Sequence, residues 1–271
     1  MKKFATLLLA VLMGLSLVAC SGGKKETLEE QSGEIADEIT DALTEEESEA
    51  EETFDSDLDD AMEEEESEAS AEFEIPVQND FVAVEGLGDK YVDFENRAFA
   101  YNGTVFKLGV NTLKDLIDAG IPFDEDDLNN KGNNLNSNYE TSSYTVDINQ
   151  YVTLQFRFIN TTTEPMAEED CLLSYVRMYY LYVPQPDYDA SLNAEVTDCI
   201  FDAAKKVCFA FPMTLTKEQL LENSSEGAVQ DDYNDVDYDI DSEVYMGDSG
   251  YSFEFDDDTN LMEEVTITWL P

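Results

Sequence analysis

The stretch RAFAYNGTVFKLGVNTLKDLIDAG, residues 97–120, indicates how the folded part of this chain is built. Apolar residues alternate on either side of Asn102-Gly103, a dipeptide that is typical of a two-residue β-hairpin turn. A short capped helix then follows from Asn111, and Gly120 is a common helix stop. The segment therefore predicts a hairpin followed by a helix.

A later stretch repeats this order of elements, which indicates an internal duplication. Residues 197–211 suggest a second hairpin centred on Ala203-Ala204, and residues 214–223 repeat the helix pattern with Thr214 or Thr216 as the cap. Alternating apolar positions predict strands after each helix, with one face buried and one face wet. The residues predicted to face the core are Tyr144, Val146, Ile148, Val152, Leu154, Phe156, Phe158, Ser174, Val176, Met178, Tyr251, Phe253, Phe255, Val265, Ile267 and Trp269.

We expect an α+β fold with two similar subdomains, residues 73–185 and residues 186–271. Each subdomain should be an antiparallel sheet with a short helix on one face. This order of elements, over residues 91–271, resembles the beta-lactamase inhibitor protein type of fold. The resemblance implies tandem helix-plus-sheet modules that bind a partner through the open face of the sheet.

The first nineteen residues have the pattern of a signal peptide. Lys2 and Lys3 precede an uncharged, mostly apolar run, residues 4–19, which is shorter than the ~20 residues that a spanning helix needs. The tetrad Leu17-Val-Ala-Cys20 resembles the lipobox of bacterial lipoproteins, which implies cleavage before Cys20 and lipidation of its thiol. We therefore expect a lipid anchor on the extracytoplasmic face of the cell membrane. The alternative is an ordinary secretory signal with a chance cysteine.

The segment from Cys20 to residue 72 is expected to be a disordered acidic tether. Residues 21–72 contain 23 acidic residues and two lysines. Runs of like charge repel one another and stay solvated. A spacer that holds the folded part away from the membrane is one interpretation, and a brush that attracts cations is the other.

The composition excludes several classes of function. The chain has 14 basic and 63 acidic residues, a net charge of −49, and it contains no histidine. Catalysis that needs an imidazole is therefore excluded, and so is nucleic-acid binding, which needs clustered Lys and Arg. We expect a binding protein with no cofactor, not an enzyme. The alternatives are a divalent-cation-binding envelope protein and a hydrolase that cleaves glycans with two carboxylates.

Three cysteines remain beyond the lipidation site. A hairpin turn at Ala203-Ala204 would place Cys199 opposite Cys208, within reach of a disulfide, in a compartment that permits one. The alternative is that these two thiols and Cys171 are reduced and buried.

Alternating acidic residues mark a candidate cation site. On a strand, these carboxylates would line one face, where their repulsion favours a bound Ca²⁺. The alternative is a solvated acidic strand. The candidate ligands are Asp235, Asp237, Asp239, Asp241 and Glu243.

The wet face of the first sheet is the strongest candidate for a binding surface. Tyr and Arg are over-represented among residues that dominate binding energy. The alternative is that the arginines pair with nearby acids while the tyrosines cover the sheet. The matching face of the second half lacks Tyr and Arg, since its residues are Ser252, Glu254, Thr266 and Thr268. We therefore expect the binding surface mainly on the first subdomain. The expected partner is an extracellular protein or a glycan. Its predicted residues are Gln155, Arg157, Tyr175, Arg177 and Tyr179.

Overall fold

The computed structural model describes residues 73–271 except 80, 225, 226, 231–233, 243 and 246. The predicted signal peptide, Cys20 and the acidic tether lie outside the described residues. The strands are β1 Ala98–Tyr101, β2 Thr104–Lys107, β3 Asn134–Leu135, β4 Tyr144–Asp147, β5 Val152–Ile159, β6 Met166–Ala167, β7 Leu172–Tyr180, β8 Val207–Cys208, β9 Val229–Gln230, β10 Val236–Asp241, β11 Asp248–Phe255 and β12 Met262–Thr268. The α-helices are α1 Leu113–Asp118, α2 Glu125–Leu128, α3 Ala190–Ala204 and α4 Lys217–Asn223, and residues Glu168–Asp170 form a 3-10 helix.

The strands of both halves join into one large sheet, whose order is β4-β5-β7-β12-β11-β10-β9. All neighbouring strands in it are antiparallel. The meander β4-β5-β7 comes from the first half and β10-β11-β12 from the second, and their third strands meet at the centre. Because β7 and β12 are antiparallel, an approximate two-fold rotation about the sheet normal relates the two meanders. The prediction of an α+β fold with antiparallel sheets is confirmed.

The helix before each meander begins in the same way in both halves. Thr112 accepts a hydrogen bond from the Asp115 amide, and the Asp115 carboxylate accepts one from the Thr112 amide, 2.9 Å away. Thr216 and Gln219 make the same reciprocal pair at the start of α4. Each capping threonine also forms an isolated bridge to the region where its central strand begins, at Leu172 or Leu261. The two helices therefore share the same capping box, and each is followed by a three-stranded meander of the large sheet.

One hydrophobic core lies between the helices and the buried face of the large sheet. Leu113 and Leu116 of α1 and Leu220 of α4 pack into it, as do the inward side chains of all the long strands. The inward residues are almost completely buried, whereas their neighbours along each strand keep partial exposure. The face of the sheet away from the helices is called the open face below.

The smaller sheet, of order β2-β1-β8, corrects part of the sequence interpretation. The Asn102-Gly103 hairpin is confirmed, since β1 pairs with β2 around it. The hairpin predicted for residues 197–211 is wrong, because α3 occupies most of that range and is capped by Asp189, which accepts hydrogen bonds from two backbone amides. The buried residues of α3 recur at helical spacing and are Val196, Ile200 and Ala203.

Candidate functional site

The register of the large sheet places all five predicted binding residues on the open face. Each of them alternates with fully buried neighbours on β5 or β7 and is itself partly exposed. Gln155 lies opposite Arg177, and Arg157 lies opposite Tyr175. Tyr179 lies two residues after Arg177 on β7, opposite Thr153. The prediction that these five side chains share one face of the sheet is confirmed. Whether they bind a partner stays a prediction.

Two arginine–tyrosine stacks dominate the centre of the open face. The guanidinium carbon of Arg157 is 4.7 Å from the ring centroid of Tyr175, its partner across the strands. The guanidinium of Arg177 lies over the ring of Tyr179, 4.8 Å from its centroid and two residues along β7. Stacks of this kind are worth roughly 0.5–1 kcal/mol when they are exposed to solvent. Side chains that are ordered in this way lose less conformational entropy on binding than freely rotating ones.

Arg177 also forms an ion pair that spans the two halves of the sheet. Its Nε and Nη2 donate to the two carboxylate oxygens of Glu264 on β12. Glu264 is only 9 % exposed, and its carboxylate raises the pKa of Arg177. Bidentate geometry of this kind fixes the plane of the guanidinium. Arg157 is held more weakly, through a 3.2 Å hydrogen bond from its Nε to the Ser143 hydroxyl.

The open face continues from the first half of the sheet into the second, although the five predicted binding residues all lie on β5 and β7 of the first half. Gln155 and Arg177 continue in register through Thr266 and Ser252 to Asp237. The key contact that the sequence did not indicate is Glu264. Its pairing with Arg177 depends on the junction of β7 and β12, which no local pattern marks.

Acidic side chains occupy the second half of the open face. Glu254 lies directly opposite Glu264, next to a bulge in the pairing of β11 and β12. Burial raises the pKa of Glu254, and the charge of Glu264 adds to the effect. Burial likewise raises the pKa of Asp239, with Asp237 and Asp248 contributing. These carboxylates are incompletely compensated when ionised.

The predicted cation ligands do not converge on one point. Asp237, Asp239 and Asp241 alternate along β10, Asp235 precedes the strand, and Glu243 lies outside the described residues. Alternate residues of a strand are roughly 6.6 Å apart, whereas Ca²⁺ needs its oxygens at about 2.3–2.6 Å. Within the described part of the chain, no group of three or more acidic or cysteine side chains could hold a metal ion. Calcium binding stays a prediction.

The predicted Cys199–Cys208 disulfide is absent, and both thiols are free, as is Cys171. Cys199 lies within α3 and Cys208 in β8, so the two residues are not opposed across a hairpin. The thiol of Cys208 instead donates to the backbone oxygen of Ala204, at 3.4 Å. The prediction failed because it required a turn where the chain is helical.

Two surface grooves lie between the first described segment, residues 73–82, and helix α3. One has a volume of about 630 Å³ and is lined in part by Phe81, Phe201 and Cys208. The other, of about 580 Å³, is lined in part by Pro76 and Pro184. The carboxyl groups on the open face line neither groove.

Comparisons with protein-family models, with curated proteins and with solved structures give no match to this chain. Among the described helices, none combines the length and the apolar character needed to span a bilayer.

Proposed function

We propose that this chain is a lipid-anchored protein of the extracytoplasmic membrane face that binds another protein through its open face. The anchor rests on the lipobox at Cys20 and the acidic tether on residues 20–72. In this proposal the chain is not an enzyme, needs no cofactor and binds no nucleic acid, in keeping with its lack of histidine and its net charge of −49.

The observation that carries the proposal is the ordered array of two arginine–tyrosine stacks on a sheet face that no described helix covers. Arg157, Tyr175, Arg177 and Tyr179 lie on adjacent strands, and their side chains are partly exposed. Tyr and Arg offer large contact area together with hydrogen-bonding capacity, which is why they recur at the centre of protein interfaces. Glu264 and Ser143 hold the guanidinium groups in place before any partner arrives.

The test is capture of partners from cell-envelope and culture extracts by the immobilised mature chain, residues 20–271, with Cys20→Ser. The variant Arg157→Ala/Tyr175→Ala removes one stack and leaves the Arg177–Glu264 pair intact. The control variant Lys114→Ala/Lys131→Ala removes two cations outside the large sheet, at exposed positions. Far-ultraviolet circular dichroism of all three proteins shows whether they are folded.

We expect the wild type and the control to retain the same proteins and the stack variant to lose them. Equal retention by the stack variant would place binding elsewhere and contradict the proposal. Retention of glycans alone, detected by sugar analysis of the eluate, would also contradict a protein partner. A capture that depends on Ca²⁺ would favour the cation-binding alternative.

A further inference from the structure

The open face is strongly asymmetric in charge. Strand alternation places Arg157 and Arg177 on its first half, with Asp147 as the single acid there among the described strand residues. The second half carries no cation on its described strands. Its outward carboxylates are Asp237, Asp239, Asp241, Asp248, Glu254 and Glu264.

Two pairs of these carboxylates lie directly opposite each other on neighbouring strands. Asp241 is the partner of Asp248, and Glu254 is the partner of Glu264. Like charges directly opposite each other on a sheet are destabilising. Arg177 neutralises Glu264, but Glu254 has no hydrogen bond or ion pair with any described residue. Among the described residues, Glu254 and the Asp241–Asp248 pair therefore have no ion-pair partner.

We propose that the open face receives a basic protein surface, whose Lys and Arg side chains lie over Glu254, Asp237 and Asp239 while the arginine–tyrosine stacks anchor the neighbouring contacts. This inference rests on the proposed function and specifies the chemistry of the partner. Complementary charge steers encounter and excludes wrong partners. Acidic proteins, nucleic acids and anionic lipids would be repelled by a chain of charge −49.

Other occupants fit the charges of this face less well. A second copy of the chain would bring the same excess of negative charge. The chain's own tether carries 23 acidic residues in positions 21–72, which the acidic half of the face repels. An uncharged glycan leaves the carboxylates uncompensated. A basic surface supplies what the open face lacks, and burial of ionised carboxylates is tolerated when they are paired.

The test is selection of binders from a random twelve-residue peptide library displayed on phage, against the mature chain with Cys20→Ser. The face variant is Asp237→Asn/Asp239→Asn/Glu254→Gln. The charge-matched control is Glu85→Gln/Asp187→Asn/Glu222→Gln, which removes three carboxylates from exposed positions outside the large sheet. The selected peptides are then synthesised, and their affinities are measured for the wild type, the face variant, the control and the stack variant Arg157→Ala/Tyr175→Ala.

We expect selected peptides to be enriched in Lys and Arg, to bind the face variant at least about tenfold more weakly, and to bind the control as well as the wild type. Their affinity should also fall as salt is raised. Equal weakening by the face variant and the control would reveal attraction to net charge alone, which overturns the inference.

The remaining outcomes separate this inference from the proposed function. Peptides without excess positive charge that bind the wild type but not the stack variant would support the open face as a docking site and reject the basic partner. Peptides that ignore both variants would contradict both proposals. Sedimentation of the mature chain as a dimer, lost in the stack variant, would identify a second copy as the occupant and reject the basic partner as well.

Discussion

Arg177 on β7 and Glu264 on β12 form a two-point ion pair across the strands that join the two halves of the sheet. The side chain of Arg177 is 34 % exposed and that of Glu264 is 12 % exposed. The pair is therefore partly shielded from water, and its attraction is screened less than that of a surface pair. It links the arginine–tyrosine stacks to the junction of the two meanders.

The ion pair predicts that replacing Arg177 alone destabilises the fold more than replacing Arg177 and Glu264 together. Arg177→Leu should lower the free energy of unfolding by about 1–3 kcal/mol, since it leaves the mostly buried Glu264 carboxylate without its partner. The double variant Arg177→Leu/Glu264→Leu should recover much of that loss. Urea unfolding of the wild type, both single variants and the double variant gives the coupling energy. Additive effects would show that the pair contributes nothing. Arg157→Leu should cost less, because Arg157 stacks on Tyr175 and donates to Ser143 but forms no ion pair with a described residue.

Gly109, which lies beside Trp269, predicts that Gly109→Ala lowers the melting temperature more than Gly103→Ala does. Gly109 has φ of +75°, and a Cβ built on it would lie 2.8 Å from Cζ2 of Trp269. Gly103, in the hairpin turn, has φ of +79° but nothing within 4 Å of such a Cβ. Both Gly→Ala variants add backbone strain, and only Gly109→Ala adds a clash. Its melting temperature should fall further, by roughly 2–4 °C for each additional kcal/mol. Equal falls would mean that Trp269 moves aside freely.

The sequence predicted the parts of this fold that are coded locally. Asn102 and Gly103 both have positive φ, as the two-residue turn requires, and Thr216 is a helix cap as predicted. The strand alternation that placed Arg157 on the open face is equally local. In contrast, Arg177 and Glu264 are separated by 87 positions, and the pairing that brings them together leaves no mark in either segment.

The error at residues 197–211 has a different origin. Ile200, Phe201 and Val207 favour strands, whereas the residue that caps the helix, Asp189, lies upstream of that window. The helix spans Ala190–Ala204, so the predicted hairpin covered only its second half. Tertiary burial of its apolar stripe against the sheet decided the outcome, because local propensity is a weak guide for such a segment.

The free thiols predict that the fold does not depend on redox conditions. Cys199 and Cys208 are unpaired, so the melting temperature should be the same with and without a reductant. A disulfide between them would close a short loop and add stability of about 2–3 kcal/mol. Thermal unfolding of the mature chain with Cys20→Ser, under oxidising and reducing buffers, provides the comparison. Loss of stability on reduction, absent in Cys199→Ser/Cys208→Ser, would show that the two thiols are paired and contradict the free state in the structure.

Arg97 predicts a stabilising substitution. The residue is 7 % exposed, and its buried Nε and Nη2 have no hydrogen-bond partner among the described residues. Burial accordingly lowers its pKa, against the opposing influence of Tyr251 and Asp93. Arg97→Met loses the guanidinium contact over the Phe94 ring, whose centroid is 5.2 Å away, but keeps a long apolar stem and removes the buried charge. It should therefore raise the free energy of unfolding by about 1 kcal/mol. Urea unfolding measures the difference. A variant that is less stable than the wild type would show that the Arg97 guanidinium does have hydrogen-bond partners, and it would contradict the prediction.

Glu254 predicts a pH-dependent effect on stability. Burial and the charges of Glu264, Asp235 and Asp237 raise its pKa, while Arg177 lowers it. A raised pKa in the folded state means that the ionised carboxylate destabilises the fold above that pKa, and that this cost disappears as pH falls through it. Glu254→Gln should therefore be more stable than the wild type at pH 7.

The difference between Glu254→Gln and the wild type should shrink on acidification and vanish below the ordinary glutamate pKa of 4.5, where both side chains are neutral in either state. Thermal unfolding from pH 4 to pH 7 measures it, with the exposed Glu222→Gln of α4 as the control for loss of one negative charge. The control should gain less, because Glu222 lies on α4 and no carboxylate of a described neighbouring strand faces it, as Glu264 faces Glu254. A difference that is constant with pH would mean that Glu254 acts through its shape and not through its charge, and the uncompensated carboxylate inferred for this half of the open face would then be wrong.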